Sequence, residues 1–261
     1  MKNALTHAKG CGTLLRYWRG VRKMSQLDLA LASDVSARHI SFVESGKSVP
    51  SRELLLDLAD ALEVPLRERN PLLHAAGYAP LYEVRALDAP ELAPVLRSLR
   101  AVVDRMGPYP AAALDAQWNV LFVNRAGERL FGPMLALDEN LARLVFRPET
   151  RAMIENWDDV ARYFMQRLHR EALVDPRSRA LVDDLVARGG VPVEHQRLTH
   201  DGTPVSPVIP MRVRAGDAIL SLFTTITTLG TPLDVALSEL RIESYLPADD
   251  ASEALLRALC G

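Results

Sequence analysis

The chain has 261 residues, of which 48% are apolar and 25% are charged, and its formal net charge is −2. This composition is typical of a globular protein and excludes collagen, a coiled-coil rod, a disordered chain and a disulfide-dense small domain, while the length predicts two domains. No apolar run is long enough for a membrane span or a signal peptide. Because the only cysteines, Cys11 and Cys260, lie near opposite ends, we expect a reduced, cytoplasmic protein.

Charge is distributed unevenly along the chain. The first fifty residues hold eight Lys or Arg and three acidic residues, a net charge of +5, and the remaining residues carry −7. A basic region beside an acidic one predicts that any phosphate-binding surface lies in the first fifty residues.

The chain up to about residue 80 has the pattern of short helices. Ser25, Ser36 and Ser51 each precede an amphipathic run, and a serine in that position caps the free N–H groups of the first turn. A further helix is expected after Pro65. The predicted division of the chain is a five-helix, all-α domain over residues 1–80, a helical linker over 81–107 and a third region over 108–261.

Residues 25–45 have the pattern of a helix-turn-helix, with two short helices around a tight turn at Ser33-Asp34-Val35. Packing the two helices together projects the first residues of the second helix outward, in the geometry that enters the major groove of DNA. The apolar residues spaced to make this packing are Leu29, Ala30, Ile40 and Val43.

The outer face of the second helix supplies candidate DNA contacts. Arg38 can donate two hydrogen bonds to guanine O6 and N7, which discriminates against other bases by about 1–3 kcal/mol. Phe42 can lie against a thymine methyl group, and Gln26 can hold a phosphate. Because one such domain makes few base contacts, we expect a homodimer on an inverted repeat of double-stranded DNA. The candidate DNA-contact residues are Gln26, Ser36, Ala37, Arg38, His39, Ser41, Phe42 and Lys47.

Three stretches between Leu14 and Pro80 resemble the helix-turn-helix of the Xre and phage-repressor family, in the branch named for the MmyB regulators. They are LLRYWRGVRKMSQLDLA, VSARHISFVESGKSVPS and VPLRERNPLLHAAGYAP. The resemblance implies a phage-repressor-like fold with a buried pair between Arg16 and Glu44. It also implies base reading at Ala37, Arg38 and Phe42 and a phosphate contact from Gln26.

Lys23 and Asp34 stand at tight turns where this family commonly has glycine. A left-handed backbone costs lysine about 1 kcal/mol, whereas aspartate tolerates it better. Repressor-like domains also occur as protein-interaction modules, but the basic charge and the exposed position expected for Arg38 favour DNA binding.

From residue 108 the pattern changes to strands mixed with helices. Two strands are expected around the turn Asp115-Ala116-Gln117, Asn124 can cap the helix that follows, and a helical middle extends over about 139–188. Asp201-Gly202 and Ala215-Gly216-Asp217 are hairpin turn signals. The strand-like runs are 111–116, 118–124, 193–200, 204–214, 218–228 and 240–246, and a last helix is expected over 252–259.

This order of elements predicts an α+β domain with an antiparallel sheet, and it resembles the PAS-like ligand-binding domain of the MmyB-type regulators. The matching stretches are PYPAAALDAQWNVLFVNRAGERLF, NLARLVFRPETRAMIENWDDVARYF and LGTPLDVALSELRIESYLPADD. The resemblance implies a small apolar effector, such as a fatty acid or a secondary metabolite, held between helices and sheet. The candidate ligand-binding residues are Val120, Phe122, Asn124, Phe146, Trp157, Tyr163, Phe164, Arg212 and Phe223.

Two readings of the C-terminal domain stay open. Asn124 or Arg212 can orient the carboxylate or carbonyl of a ligand, which makes the domain a sensor. Aromatic residues at helical or strand spacing belong to a core more often than to a pocket. The alternative is therefore a ligand-free module for dimerisation or protein docking.

The sequence contains no dinucleotide-binding loop, Walker loop, nucleophile elbow or zinc-protease motif. Glu194, His195 and His200 flank a turn, but two histidines five residues apart point to opposite faces of a strand. We therefore expect no metal, no cofactor and no enzyme activity, although an enzyme tethered by a DNA-binding domain is a further alternative. The sequence predicts a DNA-binding transcription regulator whose C-terminal domain senses a small molecule.

Overall fold

The computed structural model describes residues 10–197, 210–230 and 232–261. Two compact units make up the chain. The N-terminal unit consists of Met1–Ala86 together with Thr231–Ser238, and the C-terminal unit consists of Leu87–Gly230 together with Glu239–Gly261. None of the helices in these described ranges has the length and apolar character needed to cross a membrane.

The N-terminal unit begins with five helices, which confirms the predicted all-α helix-turn-helix architecture. Each of the three predicted serine caps is present, with its Oγ accepting the backbone N–H three residues further on at 3.1–3.2 Å. The helices are α1 (Cys11–Val21), α2 (Gln26–Ser33), α3 (Ala37–Glu44), α4 (Arg52–Ala61) and α5 (Leu66–Ala75).

The helix-turn-helix packs as its apolar spacing predicts. Leu29 and Ala30 of α2 and Ile40 and Val43 of α3 are all buried. Asp34 ends α2 in the left-handed conformation with φ of 53°, and Lys23 ends the turn after α1 with φ of 54°. Both positions therefore have the backbone conformation for which glycine is usual.

The C-terminal unit contains a five-stranded antiparallel sheet in the order β2-β1-β5-β4-β3, in agreement with the expected PAS-like α+β fold. The strands are β1 (Ala111–Leu114), β2 (Val120–Val123), β3 (Met211–Ala215), β4 (Ala218–Thr228) and β5 (Arg241–Pro247). The remaining helices are α6 (Ala93–Arg105), α7 (Arg125–Leu135), α8 (Leu141–Val145), α9 (Pro148–Met153), α10 (Trp157–Glu171), α11 (Pro176–Ala187), α12 (Val235–Ser238, within the N-terminal unit) and α13 (Asp250–Cys260).

Alternation along β1 divides the C-terminal core between the two faces of the sheet. Ala112 and Leu114 belong to a cluster with residues of α10 and α11, whereas Ala111 and Ala113 pack with Val103 of α6. Helix α6, which the sequence suggested as part of a linker, thus covers one sheet face within the C-terminal unit.

Two of the predicted strand runs differ from the structure. The described part of run 193–200 is a 3-10 turn at Val193–His195, because Pro192 precedes it and Val193 is 79% exposed rather than packed on a sheet. Run 204–214 yields a strand at Met211–Ala215, and its earlier part lies outside the described residues, as do His200 and the Asp201-Gly202 turn.

Candidate functional sites

Helix α3 presents the candidate DNA-contact surface. Arg38 and Lys47 are exposed, and they flank the ring of Phe42, with the Arg38 guanidinium carbon 5.3 Å and the Lys47 Nζ 5.7 Å from the ring centroid. Ile40 and Val43 on the opposite side are buried. The outward side of the helix therefore combines positive charge with one aromatic ring, a composition suited to phosphates and base edges.

The start of α3 is fixed by its cap. Ser36 is exposed and its Oγ accepts the His39 N–H, so its hydroxyl proton stays available to a phosphate. Ala37, His39 and Ser41 are half-buried on the first turns of the helix. The structure thus groups seven of the eight predicted contact residues on α3 or at its two ends.

The buried carboxylate of Glu44 at the end of α3 ties three side chains together. Arg19 donates to both of its oxygens, from Nε to Oε1 at 2.7 Å and from Nη2 to Oε2 at 3.0 Å. Arg16, the partner implied by the family resemblance, donates from Nε to Oε2 at 3.4 Å and from Nη2 to the Glu44 carbonyl at 2.8 Å. The stronger pair is thus made by Arg19, which sequence reasoning missed although it lies one helical turn after Arg16.

The charge state of Glu44 follows from these contacts. Burial alone would raise the pKa of Glu44, but hydrogen bonds from Arg19 and Gln26, together with the Arg19 charge, outweigh it and lower the pKa. The carboxylate is therefore ionised near neutral pH.

Gln26, the predicted phosphate contact, begins α2. Its Nε2 donates to Glu44 Oε2 at 2.9 Å, which uses one of the two amide protons and fixes the side chain. The second proton and the free N–H groups of the α2 N-terminus are the donors through which this position can hold a phosphate.

A second candidate site is a cavity of about 380 Å³ inside the C-terminal unit. It lies against the sheet face formed by Ala112, Val120 and Leu222 and is closed by side chains of α7 to α10. Thr224 and Arg170 line it and are exposed, so the cavity opens to solvent beside them. Its other aliphatic and aromatic lining residues include Phe131, Met134, Leu141, Leu144, Val160, Phe164 and Met211.

Few polar groups line this cavity. Tyr163 Oη and Glu243 Oε2 are buried without a hydrogen-bond partner among the described residues. Arg167 and Tyr245 also line the cavity, and these two residues together with Tyr163 and Glu243 are called its polar end below. Burial raises the pKa of Glu243, and the nearby Arg167 and Arg241 charges offset this only in part. Burial also raises the pKa of Tyr245, with the Glu243 charge acting in the same direction.

Three of the predicted ligand-binding residues line the cavity, namely Val120, Tyr163 and Phe164. Phe146 and Trp157 lie in the core behind it, where Phe146 packs 6.2 Å from Phe164 between ring centroids. Trp157 donates from Nε1 to the Val145 carbonyl at 2.8 Å. These two rings support the wall of the cavity without lining it.

The other four predicted residues lie elsewhere. Asn124 caps α7 and donates to the Tyr109 carbonyl at 2.8 Å, so its polar atoms are occupied. Arg212 pairs with Glu155 at 2.7 Å. Phe122 packs with the α6 side of the sheet, and Phe223 falls between two cavity-lining residues of β4, where alternation turns it to the opposite face.

No group of three or more His, Cys, Asp or Glu suited to a metal ion occurs in the described part of the chain. The His195 carbonyl lies 3.3 Å from the ring Nε2 of His169, while its neighbour Glu194 is on the same 3-10 turn.

Two family models match this chain. One, described as helix-turn-helix, matches residues 15–69. The other, described as MmyB-like transcription regulator ligand binding domain, matches residues 95–259. No curated protein matches.

One matching solved structure is titled "Structure of an RNA-binding Light-Oxygen-Voltage Receptor", with 11% identity over 98% of this chain and 63% of that chain and a TM-score of 0.27. The present chain spans less than two thirds of the length of that chain, and a TM-score this low does not indicate a shared fold.

The two family matches coincide with the two candidate sites. The helix-turn-helix match encloses α3 and its Glu44 cluster, and the ligand-binding-domain match encloses the sheet and the cavity. The second match alone covers more than half of the chain. The protein belongs to the family with the MmyB-like transcription regulator ligand binding domain and also contains a helix-turn-helix.

Proposed function

We propose that the cavity of the C-terminal unit binds a small, mostly apolar effector, and that the bound effector changes how the regulator reads DNA. The observation that carries this proposal is the cavity itself, about 380 Å³ with mainly apolar lining and a few polar groups. Ligand sites in proteins are typically apolar cavities of about 300–1,000 Å³ with a small number of convergent polar groups.

The cavity favours a sensor over a ligand-free docking or dimerisation module, since such a module has no need of an unfilled interior. Its apolar walls suit the chemical classes implied by the family, a fatty acid or a secondary metabolite. The effector must prefer one arrangement of the protein to change its DNA affinity.

On DNA, the regulator acts as a cytoplasmic homodimer at an inverted repeat. Two α3 helices spaced by about one helical turn then insert Arg38 and Phe42 into successive major grooves. The exposed, basic face of α3 supports this arrangement.

A probe-binding experiment on the full chain tests the sensor function. Thr224 lines the cavity at an exposed position of β4, whereas its neighbour Thr225, which is also exposed, does not. We expect the neutral fluorophore N-phenylnaphthylamine to bind the wild type, Thr224→Trp to weaken binding about tenfold, and Thr225→Trp to leave it unchanged. Equal effects of the two variants, or no binding by the wild type, would contradict the proposal.

Native mass spectrometry of the full chain measures the oligomeric state and detects a natural effector that stays bound. We expect a dimer carrying extra mass that denaturation releases. A monomer under the same conditions would contradict the homodimer, and a dimer without extra mass would leave the probe experiment to decide whether the cavity binds ligands.

A further inference from the structure

The cavity has a polar end whose hydrogen-bonding capacity is incompletely used. Alternation along β5 turns Glu243 and Tyr245 to the same face, and both line the cavity together with Tyr163 of α10. Tyr163 Oη and Glu243 Oε2 are buried there without a partner among the described residues. A buried polar atom without a hydrogen bond destabilises the protein, and a ligand atom that bonds to it would relieve this cost.

The charges around this end are mainly positive. Arg167 and Arg241 both pair with Glu171, at 3.2 and 2.9 Å, so two guanidinium groups share one carboxylate. Both guanidinium groups also lie over the ring of Trp118, 4.3 and 3.9 Å from its centroid. A further cation brought into the cavity would be repelled by this pair of arginines.

The protonation state of Glu243 determines whether its carboxyl group can donate a hydrogen bond. Burial, the largest effect, raises its pKa, with Arg167, Arg241 and a hydrogen bond with Tyr245 opposing. A carboxyl group that keeps its proton is a donor as well as an acceptor, and the hydroxyl of Tyr163 is also a donor.

We propose that Glu243 and Tyr163 recognise the polar end of the effector by donating hydrogen bonds to one oxygen atom of an otherwise apolar molecule. The ligand feature that these residues recognise is an acceptor oxygen, which a neutral carbonyl or a carboxylate can supply. Ligands with an amine cation at this end do not bind. This inference rests on the proposed ligand-binding function and adds the chemical class of the ligand and the residues that select it.

Displacement of N-phenylnaphthylamine from the full chain tests this selection with four competitors of equal chain length, namely decane, decanone, decanoate and decylamine. We expect decanone or decanoate to bind about five- to tenfold more tightly than decane, the effect of one satisfied hydrogen bond. Decylamine should bind no better than decane. Comparison of decanone with decanoate identifies the source of the oxygen.

Three variants assign the effect to residues. Glu243→Met and Tyr163→Phe should each remove most of the preference for the oxygen-containing competitor, measured relative to decane in the same variant. Glu243→Gln keeps a donor and should retain the preference. Tyr109→Phe is the control, because the Tyr109 hydroxyl lies 3.0 Å from Glu253 and does not line the cavity.

The outcomes separate this inference from the proposed function. Tight binding of decylamine, or equal binding of all four competitors, would overturn the inference and leave the sensor function standing. If the fluorophore does not bind the wild type, the proposed function itself fails. If Glu243→Met does not fold, Glu243→Gln and Tyr163→Phe still test the assignment of the two residues. A loss of preference in Glu243→Gln together with an unchanged preference in Tyr163→Phe would contradict it.

Discussion

Arg38 is the residue on which we expect sequence-specific reading of DNA to depend. It is exposed on α3 and lies over Phe42, where its guanidinium can face the edge of a guanine. Lysine keeps the positive charge but loses the two-pronged geometry that guanine requires.

We therefore expect Arg38→Ala and Arg38→Lys to reduce the preference for an operator over random DNA by about 1–3 kcal/mol. Binding of Arg38→Lys to random DNA should stay close to wild type and keep its salt dependence. The measurement is fluorescence anisotropy on a duplex selected from a random library and on its scrambled form. Gln26→Ala provides the comparison, since loss of a phosphate contact weakens binding to both duplexes about equally. If the Arg38 variants also lose affinity for both duplexes equally, Arg38 does not read bases.

We expect Glu44 to make the stability of the N-terminal unit dependent on pH. Burial opposes ionisation, but hydrogen bonds from Arg19 and Gln26 lower the pKa of Glu44 below its ordinary value of 4.5. A lowered pKa means that the stabilising contribution is complete above the unfolded-state value and is lost as the pH falls through the folded-state value.

We expect Glu44→Gln to be less stable than the wild type near neutral pH and the difference to shrink below about pH 4.5, the ordinary pKa of the group. Urea unfolding followed by far-ultraviolet circular dichroism over a pH series measures this. Glu63→Gln, at a position whose side chain is 78% exposed, is the control. A difference between wild type and Glu44→Gln that is constant with pH would show that ionisation is not involved.

At the residue scale, the sequence predicts which side chains lie on an exposed helix face better than it predicts which residues they contact. Arg38 and Phe42 could be placed on an exposed helix face because their spacing relative to Ile40 and Val43 decides it. Glu243 could not be placed in a cavity, since its orientation depends on the register of β5 with β1 and β4. Pairing register is a long-range property that local pattern does not fix.

At the scale of elements, α1 and α3 cross at a point that admits no side chain. A Cβ added to Gly12 would lie 2.1 Å from the Val43 carbonyl oxygen, a backbone atom that cannot rotate away. Gly12 of the Gly10-Cys11-Gly12 sequence, which is no nucleotide-binding loop, therefore has a packing role.

We expect Gly12→Ala to destabilise the N-terminal unit by about 1–3 kcal/mol or more, the usual cost of overpacking. Gly20→Ala is the matched control on the same helix. A Cβ there meets nothing within 4 Å, so alanine should stabilise by about 0.5–1 kcal/mol through its higher helix propensity. Urea unfolding of both variants decides, and a stabilising Gly12→Ala would contradict the close approach of α1 and α3.

Capped helices were the most predictable elements, because Ser25, Ser36 and Ser51 each mark a local, chemically defined start. The run from residue 193 was not, since apolar residues there are spaced like a strand but have no neighbouring strand to pack against in the described structure. Helix α6 was predicted as a helix, but the sheet face that it covers could not be.

At the scale of the whole molecule, the N-terminal unit includes a segment from far along the sequence. Asp234 and Val235 belong to this unit, where the Val235 N–H donates to the Glu83 carbonyl at 2.9 Å and Val235 is fully buried. Asp234 is also buried and accepts from Arg85 at 3.1 Å. The segment connects β4 with β5, two strands that line the cavity, so the chain leads directly from the candidate ligand site into the DNA-binding unit.

Asp234 is the residue that fixes this segment. Besides pairing with Arg85, its Oδ1 accepts the Ala236 and Leu237 N–H groups at 2.8 and 3.4 Å, so alanine at this position removes an acceptor from three donors. We expect Asp234→Ala to destabilise the N-terminal unit by about 1–3 kcal/mol. Hydrogen exchange resolved by peptide should show faster exchange in α4 and α5 and unchanged exchange in the sheet of the C-terminal unit.

The same variant tests whether the segment carries the effector's influence. Asp234→Ala should keep the affinity of the cavity for N-phenylnaphthylamine, because the residue does not line it, and should reduce the change in DNA affinity that the bound probe produces. Leu233→Ala, at a position that is 81% exposed in the same segment, should behave like the wild type. If Asp234→Ala loosens α4 and α5 yet leaves the probe's effect on DNA binding intact, the influence of the effector reaches the DNA-binding unit by another path.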